Sequence, residues 1–458
     1  MTASAGVTTP KAVSFAEAMK FWLKLGFISF GGPAGQIAIM HRVLVDERRW
    51  ISEARFLHAL NYCMVLPGPE AQQLATYLGW LMHGTLGGII AGALFVLPSL
   101  GILIALAWVY LTFGELPLIA GILYGIKPAV TAIVAQAAWR IGGRTLRNGW
   151  LMAIAVAAFV AIFGFNAPFP AIVLVAGALG LIGGRINPAL FAMSHTHEAK
   201  QGSASPAMID DHTPMPARLK WRPATAMTYS VIGLALWMAV MGLLLMRGGV
   251  DSTLAQMGWF FTKAALLTFG GAYAVLPYVY QGAVESFQWL TAQQMIDGLA
   301  LGETTPGPLI MVVAFVGYLG GVAHEVVSGS PFWSGALAAS VVTFFTFLPS
   351  FMFILIGAPF VESSRGNLQL AAPLTAITAA VVGVIVNLAV FFAWHVWWPG
   401  ARADAPYAGG IDVFAMALTV LATVALMRYK AGVVWVILSC GVAGYLWQVL
   451  RLLLLPVA

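Results

Sequence analysis

The sequence predicts an all-α polytopic membrane protein made of two homologous antiparallel (inverted) repeats with broken helices, about 13 crossings in all. Three observations carry that prediction. Of the 458 residues, 60% are hydrophobic and only 9% charged, with a mean hydropathy of +0.88. Phe30-Gly31-Gly32 recurs as Phe269-Gly270-Gly271, 239 positions on, and Pro67-Gly68-Pro69 recurs as Pro306-Gly307-Pro308 at the same displacement. Both motifs put helix-breaking residues inside long apolar runs. A duplicated apolar unit broken at matched places points to a transporter whose site lies between its halves.

Composition removes several classes. A soluble domain carries roughly 25% charged residues, far more than this chain. The apolar runs are continuous, which disfavours a strand barrel with its alternating segments. The formal charge of +6 sits mostly in loops and reads as topology, not as a nucleic-acid surface. Cys63 and Cys440 have neither metal-ligand nor disulfide spacing and read as core. No metal or cofactor is expected. The eight His are scattered and no nucleophile–base pair is evident, so an enzyme is not expected either. The polar start, residues 1–10, does not read as a cleavable signal.

The elements follow in order. The first copy runs from 15 to 140: a segment at 15–30, the Gly31-Gly32-Pro33 break, and 34–45 with a charged stretch ending at Trp50. Then come 54–66, the Pro-Gly-Pro break, 70–82, and long segments near 86–113 and 118–139. The second copy, 259–398, repeats this order. At the 239-position displacement Lys24 meets Lys263, Trp50 meets Trp289, Ala75 meets Ala314, and Asp46 meets Glu285. After a longer loop in the second copy, Leu97-Pro98-Ser99 recurs as Leu348-Pro349-Ser350. Two further apolar segments follow each copy, and one extra segment, 226–245, precedes the second. The polar stretch 194–223, with His195, His197, Asp210, Asp211 and His212, reads as a flexible solvated linker, since it has too little apolar surface to fold alone. The organisation is therefore a first repeat half (1–186), a cytoplasmic linker (187–225) and a second repeat half (226–458).

Orientation follows from the basic residues of short loops. Arg140, Arg144 and Arg147 form one cluster, and Arg185 to Arg222 a second, two spans later. Together they mark the cytoplasmic side, and Lys11 and Lys20 put the N-terminus there. The extra segment at 226–245 then starts the second copy from the opposite side. Its Arg402/Asp404 loop is charge-poor, as an outside loop should be, and the C-terminus falls outside. The repeats are thus related by an axis in the membrane plane.

The candidate site is built from the breaks. Irregular backbone at membrane depth is tolerated where protein or a watery cavity satisfies it. Gly31, Gly32, Pro67, Gly68 and Pro69 form one set, and Gly270, Gly271, Pro306, Gly307 and Pro308 the other. The helices that begin after them would present free N–H groups and a positive dipole end to an anion. A plainer reading is that Gly and Pro permit kinks and close packing, and Gly88, Gly92, Gly317 and Gly321 are assigned to packing. Lys24 and Lys263 lie seven residues before their Gly-Gly pairs, on the same helix face, and could attract an anion or snorkel to the interface. Lys127 has no matched Lys. Arg42, Arg48, Arg49 and Arg55 read as a rim or gate, and Asp46 and Glu285 as partners of loop cations. Glu70 and Glu303 are candidate proton carriers, because burial disfavours the charged form; alternatively Glu70 complements a helix start. Gln72, Gln73, Asn61, Thr304 and Thr305 can donate hydrogen bonds to oxyanion oxygens, and Tyr273 and Tyr280 can line the second half.

The duplicated Phe-Gly-Gly and Pro-Gly-Pro motifs, with Pro33, Glu70, Gln73 and the Trp50/Trp289 spacing, resemble the chromate ion transporter (CHR) family in its long two-domain form. The resemblance covers residues 15–450. It implies export of chromate, a tetrahedral oxyanion, across a bacterial-type inner (plasma) membrane, driven by the proton motive force, with sulfate as an analogue. Its expected partners are the oxyanion, protons and the lipid bilayer, and a homodimer is compatible with it. The second copy departs from the first: Ala272 replaces Pro33 and Leu309 replaces Glu70. A sulfate or other oxyanion transporter of the same fold, or a passive anion channel, are the alternatives.

Overall fold

The computed structural model describes residues 13–30, 32–191, 207–210, 220–363, 371–400, 405 and 407–454. It is all helical; among the described residues the only β contact is a single parallel bridge between Ile51 and Ile209. Gly31, Arg402, Asp404 and the linker residues His195, His197, Asp211 and His212 lie outside the described residues.

In the first half, α1 (Phe15–Ile28) starts at Ser14, whose hydroxyl accepts from Glu17 N, and stops before the Gly-Gly break. Helix α2 (Gly32–His41) runs into a π-helical turn at Arg42–Glu47. Ser52 caps α3 (Glu53–Val65), which ends at Pro-Gly-Pro. The next run, α4 (Glu70–Phe113), is interrupted at His83 and Gly84. A methyl group on Gly79 would meet Ala91, twelve residues on. Twelve residues of straight helix rise about 18 Å, so the chain folds back at Gly84, whose φ is 72°. The expected segments at 70–82 and 86–113 are therefore two arms of a hairpin. Helices α5 (Pro117–Thr145), α6 (Gly149–Phe165) and α7 (Phe169–Ile186) complete the half.

Helix α8 (Pro223–Gly248) is the extra segment; it packs on the second half and leaves most of its surface outward. The second half repeats the order with α9 (Thr253–Leu267), α10 (Ala272–Tyr280), a π-helical turn at Gln281–Ser286 and α11 (Ala292–Thr304). Thr291, the match of Ser52, caps α11 in a reciprocal capping box with Gln294. A 3-10 turn, Leu309–Met311, leads into α12 (Val312–Ala323), and α13 (Pro331–Ser363) returns after the longer loop. Then follow α14 (Ala371–Trp397), α15 (Val413–Met427) and α16 (Val433–Leu454). Helices α4, α5, α7, α8, α13, α14 and α16 are long and apolar enough to cross a membrane; three shorter apolar helices accompany them.

Packing interlocks the halves. Helix α5 of the first half runs along α15 and α16, and α14 of the second runs along α6 and α7. Small residues allow this. A methyl group on Gly125 would strike Cys440 O and Gly444, and one on Gly383 would strike Ala155 O. The Gly88, Gly92, Gly317 and Gly321 assignment agrees, since each abuts a neighbouring arm. Gly125→Val is expected to destabilise by about 1–3 kcal/mol through overpacking, read as a lower Tm in detergent. An unchanged Tm would show that the α5–α16 crossing does not need its glycine.

Part of the linker is not a free tether. Met208 N–H donates to Arg49 O at 3.0 Å, Ile209 N–H to Trp50 O at 3.1 Å, and Ser52 N–H to Ile209 O at 3.0 Å. Residues 49–52 form an irregular turn, and the linker supplies hydrogen-bond partners to its backbone.

Candidate substrate site at the crossed helix breaks

Each Pro-Gly-Pro break lies against the other half's Phe-Gly-Gly break. Gly68 N–H donates to Thr268 O at 2.7 Å, and Gly307 N–H donates to Ser29 O at 2.9 Å. Ser29 matches Thr268 at the displacement that matches Gly68 to Gly307. The two bonds are therefore one contact made twice with the halves exchanged. Ser350 and its match Ser99 complete it: a Cβ on Gly68 would lie 2.5 Å from Ser350 Oγ, and one on Gly307 would lie 2.7 Å from Ser99 Cβ. Both glycines have positive φ, 126° and 109°, a backbone state other residues rarely reach.

Helix starts follow the breaks: α2 at Gly32, α4 at Glu70 and α10 at Ala272. Neither Pro69 before α4 nor Gly271 before α10 offers a side-chain cap. First-turn N–H groups and the positive dipole end are thus directed at the crossing.

The polar side chains behave differently from the sequence expectation. Gln73 Nε2 donates to Pro67 O at 2.7 Å, Thr305 Oγ1 to Leu301 O at 2.6 Å, Thr304 Oγ1 to Ala300 O at 3.1 Å, and Gln72 Nε2 to Thr76 Oγ1 at 3.0 Å. These donors are engaged within the protein, because carbonyls freed by a break need partners where water is scarce. Buried atoms without a hydrogen-bond partner include Ser29 Oγ, Ser350 Oγ and Oε1 of Gln36, Gln72 and Gln73. Gln36, on α2, was not a candidate; its Nε2 donates to Gly307 O and, at 3.4 Å, to Ser29 O.

The two crossings have diverged. At the start of α10, Glu70 Oε1 stands 3.8 Å from the Cβ position of Gly271. Tyr273, in the first turn of α10, donates its hydroxyl hydrogen bond to Glu303. At the start of α2 the matched residues are Leu309, Ala34 and Met64, none of them acidic. Conversely, Gln36 is matched by Val275. Every residue of α10 is buried, whereas only Gln36 and Met40 are buried in α2, and the Cβ direction of Gly32 is open.

Other charged candidates fall elsewhere. Lys24 and Lys263 are exposed on α1 and α9, and the Lys263 ammonium lies 5.8 Å from the Trp259 ring; no described contact joins either to the crossings. Arg42 pairs with Glu47 at 3.5 Å, Arg48 with Glu17 at 3.2 Å, and Asp46 with His41 at 3.4 Å. The Tyr280 ring lies tilted against Phe391, with centroids 4.4 Å apart. Arg55 is not a rim residue. It is buried, paired with Glu362 of α13 at 2.5 Å, and donates through Nε to Asp210 O. Tyr77 OH donates to the other oxygen of Glu362 at 2.7 Å. Lys127 pairs with Asp297 of α11 at 3.5 Å, and Tyr110 OH donates to the same carboxylate. The sequence already paired Ser99 with Ser350; Ser29 carries a further signal, a hydroxyl matched by Thr268 in the second copy.

Broken helices meeting inside an apolar helical bundle define a multi-pass membrane protein of the transporter class. A family profile described as chromate transporter matches residues 16–181 and again 255–445. The chain belongs to the chromate transporter family, a family of transporters rather than enzymes. It is 34% identical to a chromate transport protein of Pseudomonas aeruginosa, over 95% of this chain and 93% of that one. It is 31% identical to a probable chromate transport protein of Synechococcus elongatus (83% and 84% covered), and 30% identical to a chromate transport protein of Cupriavidus metallidurans (86% of each). No solved structure matches this chain.

Proposed function

We propose that this protein exports chromate across the plasma membrane in exchange for protons, by alternating access between two inverted repeats. The observation that carries the reading is the pair of exchanged bonds, Gly68 to Thr268 and Gly307 to Ser29. A contact made twice with the halves interchanged supports a pseudo-two-fold axis through the site, the arrangement that lets one set of contacts open to either side. The loop charges support an axis in the membrane plane, with about 13 crossings, the N-terminus inside and the C-terminus outside. Family membership supports chromate as the cargo. The substrate is bound at the breaks, and Glu70 and Glu303 carry the coupled protons.

The test is chromate uptake into inverted membrane vesicles, with and without an inward-acid proton gradient and with excess sulfate as competitor. Gradient-dependent accumulation is expected, and Glu70→Gln is expected to abolish it in vesicles that hold normal amounts of folded protein. Accumulation that ignores the gradient would remove proton coupling. Conductance without accumulation would indicate a channel, and sulfate accumulation without chromate would change the cargo.

A further inference from the structure

We propose that the two crossings divide the work: the oxyanion is held at the start of α2, by Ser29, Gln36 and the first-turn amides, and the proton at the start of α10, by Glu70 and Glu303. This rests on the oxyanion-transport reading above. The duplication created two equivalent crossings, and the residues now at each decide which charge it tolerates. In a medium of low dielectric an anion beside a carboxylate is repelled strongly. The start of α10 has Glu70 against Gly271 and Glu303 bonded to Tyr273. Its positive dipole end thus already faces a carboxyl group. The start of α2 has Leu309, Ala34 and Met64 at the matched places and no carboxylate among them.

The α2 crossing has unsatisfied groups of its own, as the α10 crossing has in Ser350 and Gln73, and it also has room. Ser29 is fully buried, and its hydroxyl has no partner. Gln36 is 1% exposed and directed at the break by its bonds to Gly307 O and Ser29 O; its Oε1 has no partner. Those two carbonyls accept only, so the amide cannot turn over. Gln36 therefore orients the break and leaves one acceptor, suited to a water or hydroxyl bound with the ion. Ser29 O–H and the first-turn N–H groups of α2, other than Pro33, which has none, are the donors. A methyl group at Gly32 would meet nothing within 4 Å, so there is open space beside the first turn of α2. The ten-residue α2 is otherwise half exposed, unlike its buried match α10.

Chromate counterflow in proteoliposomes without a proton gradient isolates oxyanion binding from coupling. Ser29→Ala and Gln36→Leu are each expected to raise the half-saturating chromate concentration at least about tenfold, the effect of losing one hydrogen bond to a charged ligand or its orienting partner. Ser29→Thr, the residue the second copy carries at Thr268, is expected to restore it. If Glu70→Gln raises the half-saturation while Ser29→Ala and Gln36→Leu do not, anion and proton share the α10 site and the division is overturned. A wild-type protein that is folded and reconstituted but shows no chromate counterflow overturns the transport reading itself.

Discussion

Removing one partner of the Arg55–Glu362 pair is expected to destabilise the protein by about 3–5 kcal/mol. The side chains are 5% and 0% exposed, and the pair joins α3 of the first half to α13 of the second. Glu362 also accepts from Tyr77, and Arg55 donates to Asp210 O of the linker. Glu362→Leu therefore leaves a buried guanidinium without its carboxylate, and Arg55→Met leaves a buried carboxylate without its guanidinium. The expected result is a large drop in Tm and in folded yield for each single variant. The double variant Arg55→Met/Glu362→Leu should recover most of the loss, since an apolar pair of similar volume avoids the desolvation of two charges. A single variant that melts like the wild type would show that water reaches the pair.

The second large effect is functional. Gly307→Ala and Gly68→Ala are expected to reduce the maximal chromate transport rate roughly 30- to 150-fold, the equivalent of about 2–3 kcal/mol at the limiting step. Two physical terms add. The left-handed backbone at φ 109° and 126° strains any residue with a Cβ, by about 1–3 kcal/mol. The added methyl would also press on Ser99 or Ser350. Relief moves the break, and with it the bond to Ser29 or Thr268. Adding Ser99→Gly to Gly307→Ala removes the collision but not the strain, so partial recovery of rate is expected. Full activity of Gly307→Ala would mean that the break conformation in this structure is not required for transport.

The class and the breaks were legible in the sequence because each is local. Apolar run length and Gly and Pro placement require no knowledge of what touches what. The fold-back at Gly84 was legible for the same reason, as a boundary between the 70–82 and 86–113 segments. Arg55 was misjudged because its partner is 307 positions away, and charged-loop neighbours made it read as a rim. The donors of Gln73 and Thr305 were expected to face an oxyanion. The demand that a break's own carbonyls make on them cannot be seen until the backbone path is known. Gln36 carries no signal from the matched positions, since Val275 stands at its counterpart. The linker looked like a tether by composition, yet residues 207–210 complete a turn of the first half.

The exchange of α5 and α14 constrains how such a molecule can move. Helix α5 packs on the last two helices of the second half and α14 on the last two of the first, so each half lends one helix to the other's packing. The covalent join between them adds proximity to an attachment that already exists. For the transport cycle proposed above, the two halves cannot slide apart without stripping α5 from α15 and α16. Any such cycle must keep, or break and remake, the contacts of α5 with α15 and α16 and the Lys127–Asp297 pair that ties α11 to α5.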